Sequence, residues 1–128
     1  MSSQKFRFVI IEKDSFVAHD MREGLKAAVP GCDTHHLTDL DGASGLVTTD
    51  AEAGSPRTVI VTKLSLAQLD SSGLTQLAQQ MRAEIVVRLG EDPRAAVTER
   101  GWLSLASPFT WEDLAGLASD LGRRPTAA

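Results

Sequence analysis

Apolar positions along the chain alternate between two spacings. Phe6-Arg7-Phe8-Val9-Ile10-Ile11 is almost unbroken and rich in β-branched and aromatic residues, and it closes at Glu12-Lys13-Asp14, which reads as a buried strand. The spacing then lengthens. Phe16, Val17, Met21, Leu25 and Ala28 recur at helical intervals behind a cap at Asp14 or Ser15, and Pro30-Gly31 ends the run. Cys32 to Leu37 predicts a short second strand, Asp39-Leu40-Asp41-Gly42 opens a weak helix carrying Ala43, Leu46 and Val47, and residues 50–56 form a loop. Thr58 to Thr62 predicts the third strand, Gly73 to Arg82 a helix with Leu74, Leu77 and Met81 on one face, and Glu84 to Leu89 the fourth strand. Pro93 to Glu99 predicts a short helix with proline in its first turn, and Trp102 to Ala106 a fifth strand. Thr110 caps a last helix, with Glu112 and Asp113 in its first turn and Leu114, Leu117 and Leu121 on its buried face, before Gly122-Arg123-Arg124-Pro125 stops it.

Five strand–helix units in succession predict a parallel sheet covered by helices on both faces. Val9–Ile11, Val59–Val61 and Ile85–Val87 lack polar alternation, so the first, third and fourth strands are expected at its centre. Ligands of such sheets sit beyond the carboxyl ends of the strands, which directs attention to Glu12, Lys13, Lys63, Arg88 and Ser107. The length of 128 residues suits one domain, expected over residues 1–122 with 123–128 as a frayed tail. The longest apolar run is Phe8–Ile11, too short for a membrane span or a secretory signal, so the cytoplasm is the expected compartment. Thirteen basic and seventeen acidic residues give a net charge of −4, and six aromatics include no tyrosine; both disfavour a nucleic-acid surface.

Three stretches together resemble the receiver domain of bacterial response regulators: Arg7 to Asp14, Val59 to Leu66, and Ser107-Pro108-Phe109-Thr110-Trp111-Glu112-Asp113-Leu114. The resemblance runs from about Phe6 to Leu121. It implies a single flavodoxin-like (βα)5 doubly wound α/β fold with strand order 2-1-3-4-5. The family's chemistry uses three carboxylates around Mg²⁺, one of them the phosphoacceptor, with a lysine and a hydroxyl residue holding the phosphoryl oxygens. Glu12 keeps the first acidic position. Lys13 stands where the second carboxylate belongs, Lys63 at the phosphoacceptor, Arg88 at the hydroxyl residue, Ser107 at the lysine and Ser104 at the switching aromatic. The resemblance therefore implies the fold while withholding the activity: a phosphorylation-independent interaction module in two-component signalling, with no catalytic residue, no metal and no cofactor. Its expected contact face is the fourth helix, fifth strand and fifth helix, with Arg94, Trp102 and Trp111, for a signalling partner or a homodimer, and with neither nucleic acid nor membrane involved.

Three cations against one carboxylate at the strand ends leave alternatives open. Lys63 pairing with Glu12 would lock one conformation. Lys13, Lys63 and Arg88 together would instead form an anion or nucleotide site, or the side chains point into water. Leu69-Asp70-Ser71-Ser72-Gly73-Leu74 also looks like the phosphorylatable segment of STAS-type anti-sigma-factor antagonists, with Ser71 opening a helix whose N-terminus would favour phosphate. The plainer reading of Asp70-Ser71-Ser72 is a cap and turn. His35 and His36 are neighbours on a strand and face opposite sides, His19 lies on the first helix, and Cys32 reads as a small packing residue.

Overall fold

The structure, a computed structural model, describes residues 6–38, 57–90 and 92–123. Its strands are β1 (Phe6–Ile11), β2 (Asp33–Leu37), β3 (Arg57–Thr62), β4 (Glu84–Arg88) and β5 (Leu103–Leu105). Its helices are α1 (Ser15–Ala28), α2 (Leu66–Ser72), α3 (Leu74–Met81), α4 (Arg94–Glu99) and α5 (Trp111–Arg123). The strands form one sheet in the order β2-β1-β3-β4-β5, every neighbouring pair parallel. β1, β3 and β4 lie inside it, and all six residues of both β1 and β3 are buried, as their unbroken apolar character requires. The helix expected within residues 39–47 and the loop at 50–56 lie outside the described residues.

The pleat divides the core in two. Phe6, Phe8 and Ile10, Val59 and Val61, and Val86 face α1 and α5, where Met21, Leu25, Leu114 and Leu121 meet them. Val9 and Ile11, Ile60, Ile85 and Val87 face the other way, onto Leu69 of α2, Leu74 of α3 and Val97 of α4. Local chemistry fixes the helix starts. Asp14 Oδ1 accepts from the Phe16 and Val17 amides at the head of α1. At the head of α5, Thr110 Oγ1 accepts from the Asp113 amide while Asp113 Oδ2 accepts from the Thr110 amide, a reciprocal box with aspartate in the usual glutamate role.

The structure corrects several expectations. The helix expected at Gly73–Arg82 is α3, and a separate helix, α2, precedes it. Gly73 sits between the two at φ 83°, a left-handed conformation that glycine adopts without steric cost and that ends α2. Asp70, Ser71 and Ser72 are therefore helical rather than a cap and turn. Phe16, expected on the buried face of α1, is 86% exposed. The buried stripe is Ala18, Met21, Gly24 and Leu25, and Phe16 falls on the opposite side of the helix. Pro93 is the residue before α4 rather than part of it.

Gly24 marks the closest approach of α1 to α5: a β-carbon there would lie 2.3 Å from Leu114 Cδ1 and 3.1 Å from Trp111 Nε1. Leu114 is fully buried and has little room to yield. Gly116, on exposed α5 surface, has nothing within 4 Å of the same position. Gly24→Ala should therefore destabilise the fold by about 1–3 kcal/mol through overpacking. Gly116→Ala should stabilise it by about 0.5–1 kcal/mol through helix propensity. Urea denaturation midpoints at unchanged m-value measure both shifts, which carry opposite signs.

Candidate functional site

The strand registers align the carboxyl ends. Ile11 pairs with Thr62, and Thr62 with Val87, so these three form one row across the sheet. One residue further along each chain stand Glu12, Lys63 and Arg88. The pleat gives all three the parity of the face that carries Ile10, Val61 and Val86. The strand-end residues singled out from the sequence are thus brought to one place, with one exception: Ser107 lies half-buried beyond β5, outside the cavity described below.

The ion pair that forms there differs from the expected one. Glu12 Oε1 accepts from Arg88 Nη1, and both side chains are largely withdrawn from solvent, 14% and 6% exposed. Lys63 is exposed and forms no ion pair among the described residues. The reason is reach and burial. Arg88 is the last residue of a buried strand and must be matched where it lies, whereas Lys63 follows its strand's end and can place its ammonium in water. The Arg88 guanidinium also stacks over Phe109 at 5.6 Å, and its Nε has no partner among the described residues. Glu12 is held from several sides. Its Oε2 accepts from the Asp14 amide at 3.0 Å, its carbonyl accepts from His36 Nε2 at 2.6 Å, and its own amide donates to the Leu37 carbonyl at 2.9 Å. Burial pushes the Glu12 carboxyl up, but the Asp14 amide, the Arg88 guanidinium and the charge of Lys63 together outweigh burial and hold it below its ordinary value.

Beside this pair opens a cavity of about 630 Å³. Ile11, Val87 and Leu64 contribute apolar wall, while Lys13, Lys63 and Arg88 contribute the cations. Much of its polar lining is already engaged. Ser65 Oγ accepts from the Gln68 amide while Gln68 Oε1 accepts from the Ser65 amide. Thr62 Oγ1 accepts from the Leu64 amide, and Asp92 Oδ2 accepts from the Leu66 amide at 2.8 Å. Ser65-x-x-Gln68 is the sequence signature of a capping box, and it was the available signal for α2. Phe109, His36 and Asp92 carried no comparable signal, because each acts through a contact distant in the chain.

No protein-family model matches the chain, and no curated protein matches it in sequence. Solved structures share its architecture. A response regulator receiver domain from Rhodospirillum rubrum has a TM-score of 0.60 and 18% identity, over 91% of this chain and 90% of that one. A structure described as that of an atypical orphan response regulator with a phosphorylation-independent regulatory mechanism has a TM-score of 0.59 and 15% identity, over 95% of this chain and 99% of that one. The chain has the receiver-domain fold.

On this receiver fold the remaining sequence candidates separate. Arg94, Trp102 and Ser104 line a second hollow of about 410 Å³ between α4, β5 and α5, opposite Glu112, Asp113 and Asp120. Trp111 is not in that hollow. It is half exposed at the seam of α1 and α5, where its Nε1 donates to Asp20 Oδ1 at 3.1 Å. Ser71 does not open a helix: it lies in the last turn of α2, where the exposed carbonyl dipoles would oppose a phosphate. Its neighbour Asp70 holds Arg100 in a two-pronged ion pair, both contacts 2.8 Å, and Arg100 in turn stacks on Trp102. That guanidinium keeps the Asp70 carboxyl below its usual value. Burial, reinforced by Asp33, pushes the Cys32 thiol up and away from thiolate reactivity.

Removing either member of the strand-end pair leaves its partner's buried charge unmatched. Glu12→Gln should cost about 2–3 kcal/mol, and the combination of Glu12→Leu with Arg88→Met should restore most of it. The Glu12 carboxyl is lowered on folding, so its contribution is complete above its ordinary value of 4.5 and is lost as the pH falls through the folded value. Urea unfolding at a series of acidic pH values should therefore show the unmodified protein losing stability below that point more steeply than Glu12→Gln.

Proposed function

We propose that the chain is a degenerate receiver domain that contacts a signalling partner without being phosphorylated. The observation that supports this most is the Glu12–Arg88 ion pair. It occupies the strand ends at which the family resemblance expects a metal and a phosphoryl group, and it engages the one acidic position that the resemblance retains. An ammonium at Lys63 has no lone pair to offer phosphorus near neutral pH. A hard divalent cation needs several oxygen ligands, and positions 13 and 63 supply cations instead. The solved neighbour described as phosphorylation-independent is in keeping with this reading. On it, the protein is a non-enzymatic bacterial signalling module of the cytoplasm. Its contact surface is the hollow between α4, β5 and α5, where Trp102 and Arg94 face the α5 carboxylates and β5 offers a sheet edge. Residues 1–122 act as the unit, whether the other party is a partner or a second copy.

The test is incubation with acetyl phosphate and Mg²⁺, read on a phosphate-sensitive gel beside a receiver domain with an intact acidic pocket. The control should shift, while the unmodified chain and Lys63→Asp should not, because Lys13 still occupies the metal position. Stoichiometric phosphorylation of the unmodified chain would overturn the reading.

A further inference from the structure

The cavity at the ends of β1, β3 and β4 has more structure than a vacated phosphorylation pocket requires. Its volume, about 630 Å³, is in the range of sites that enclose a small organic molecule. Its walls sort by chemistry. Ile11, Val87 and Leu64 are apolar. Thr62 Oγ1, Ser65 Oγ, Gln68 Oε1 and Asp92 Oδ2 each accept from a backbone amide. Glu12 and Arg88 satisfy each other's charge. Beside them stand two exposed ammonium groups, on Lys13 and Lys63, without an ion-pair partner among the described residues. They stand on neighbouring strand ends, since β1 pairs with β3.

A ligand complementary to these walls has an apolar body and one anionic head. A bare inorganic anion would use the lysines and leave the apolar wall unfilled. A nucleotide would bring a base that needs stacking, and among the described residues no aromatic side chain lines the cavity. We propose that this cavity binds a small amphipathic carboxylate, its chain against Ile11, Leu64 and Val87 and its carboxylate between Lys13 and Lys63. Transfer of each methylene out of water contributes about 0.8 kcal/mol, so a chain of several carbons supplies the affinity and the paired ammoniums the selectivity. The site lies on a different part of the molecule from the hollow between α4, β5 and α5. The proposal therefore stands independently of partner binding.

Octanoate is the probe, with octanol lacking the charge, acetate lacking the body, and inorganic phosphate lacking both carboxylate and body. Amide shifts of the ¹⁵N-labelled full chain are followed at constant pH and ionic strength. Octanoate should give saturable shifts at Lys13, Lys63, Leu64 and Val87, while acetate and phosphate give none there and octanol binds more weakly. The double variant Lys13→Ala/Lys63→Ala changes only exposed side chains and should weaken octanoate about tenfold or more. Four outcomes would each overturn the proposal: no octanoate shifts at the cavity, equal binding of octanol, phosphate shifts matching those of octanoate, or an unchanged octanoate affinity in the double variant. None of them bears on the phosphorylation test, which reads a different reaction.

Discussion

A charge at the end of a buried strand has to be matched where the strand leaves it, and β4 carries one at each end. Its sequence, Glu84-Ile85-Val86-Val87-Arg88, places an acid and a base on the same side of the pleat, four residues apart and separated by apolar core. At the amino end Glu84 meets Arg57 of β3 at 2.8 Å, and Arg57 also donates to the Leu121 carbonyl and packs over Phe6. At the carboxyl end Arg88 meets Glu12 after β1 and packs over Phe109. The first contact ties β4 to its neighbour; the second spans the width of β3 to reach the residue after β1. Such pairs add little net stability over apolar replacements, but a misregistered strand would leave a buried charge exposed to no partner. In a parallel sheet whose central strands are apolar on both faces, hydrophobic pattern alone specifies register weakly, and β4's charges supply a distinction between the two ends.

That constraint also governs the chemistry available at the strand ends. Arg88 is permanently charged and Glu12 is held below its ordinary titration range, so the pair is fully formed near neutral pH. A carboxylate so engaged is poorly placed to coordinate a metal, because each oxygen already accepts a hydrogen bond: Oε1 from Arg88 and Oε2 from the Asp14 amide. Lys63, one strand over, is left outside the pair, and with Lys13 it gives the rim of the cavity its positive character. The same side chains thus close one kind of site and shape another.

Most of the architecture was legible because its signals are local. Unbroken apolar runs marked β1, β3 and β4 as doubly buried, and Asp14 and Thr110 marked two helix starts through side chains that bond within three residues of themselves. The clustering of Glu12, Lys63 and Arg88 was legible too, since a parallel sheet aligns its strand ends. What escaped was the choice among partners. Lys63 and Arg88 are both cations after or at the end of adjacent strands, and only their depth, set by tertiary packing, decides which one Glu12 takes. Helix α2 was overlooked because Leu-Ala-Gln-Leu-Asp-Ser-Ser is short and polar, so its capping box carried all the information. Phe16 was misplaced because it stands five residues before Met21, a spacing that puts it well round the helix from the buried stripe.

The kind of tie at the carboxyl ends of the strands bears on how the proposed signalling role would work. A metal-and-phosphate site makes the tie between strands conditional, present when the group is bound and absent otherwise. An arginine–carboxylate pair makes it unconditional, because neither partner changes charge across the neutral range. Any response must then enter through groups that are not already matched. Among the described residues these include the ammoniums of Lys13 and Lys63 at the cavity rim and, in the hollow beside β5, Arg94 and Glu112, whereas Asp113 caps α5 and Asp120 pairs with Arg123. A physical route joins the regions. Asp92, which caps α2 at the cavity wall, immediately precedes Pro93 and α4, and Arg100 at the end of α4 joins α2 through Asp70 while stacking on Trp102. Helices α2 and α4 are thus joined by one contact before α4 and one after it, so the cavity wall and the wall of the hollow draw on the same pair of helices.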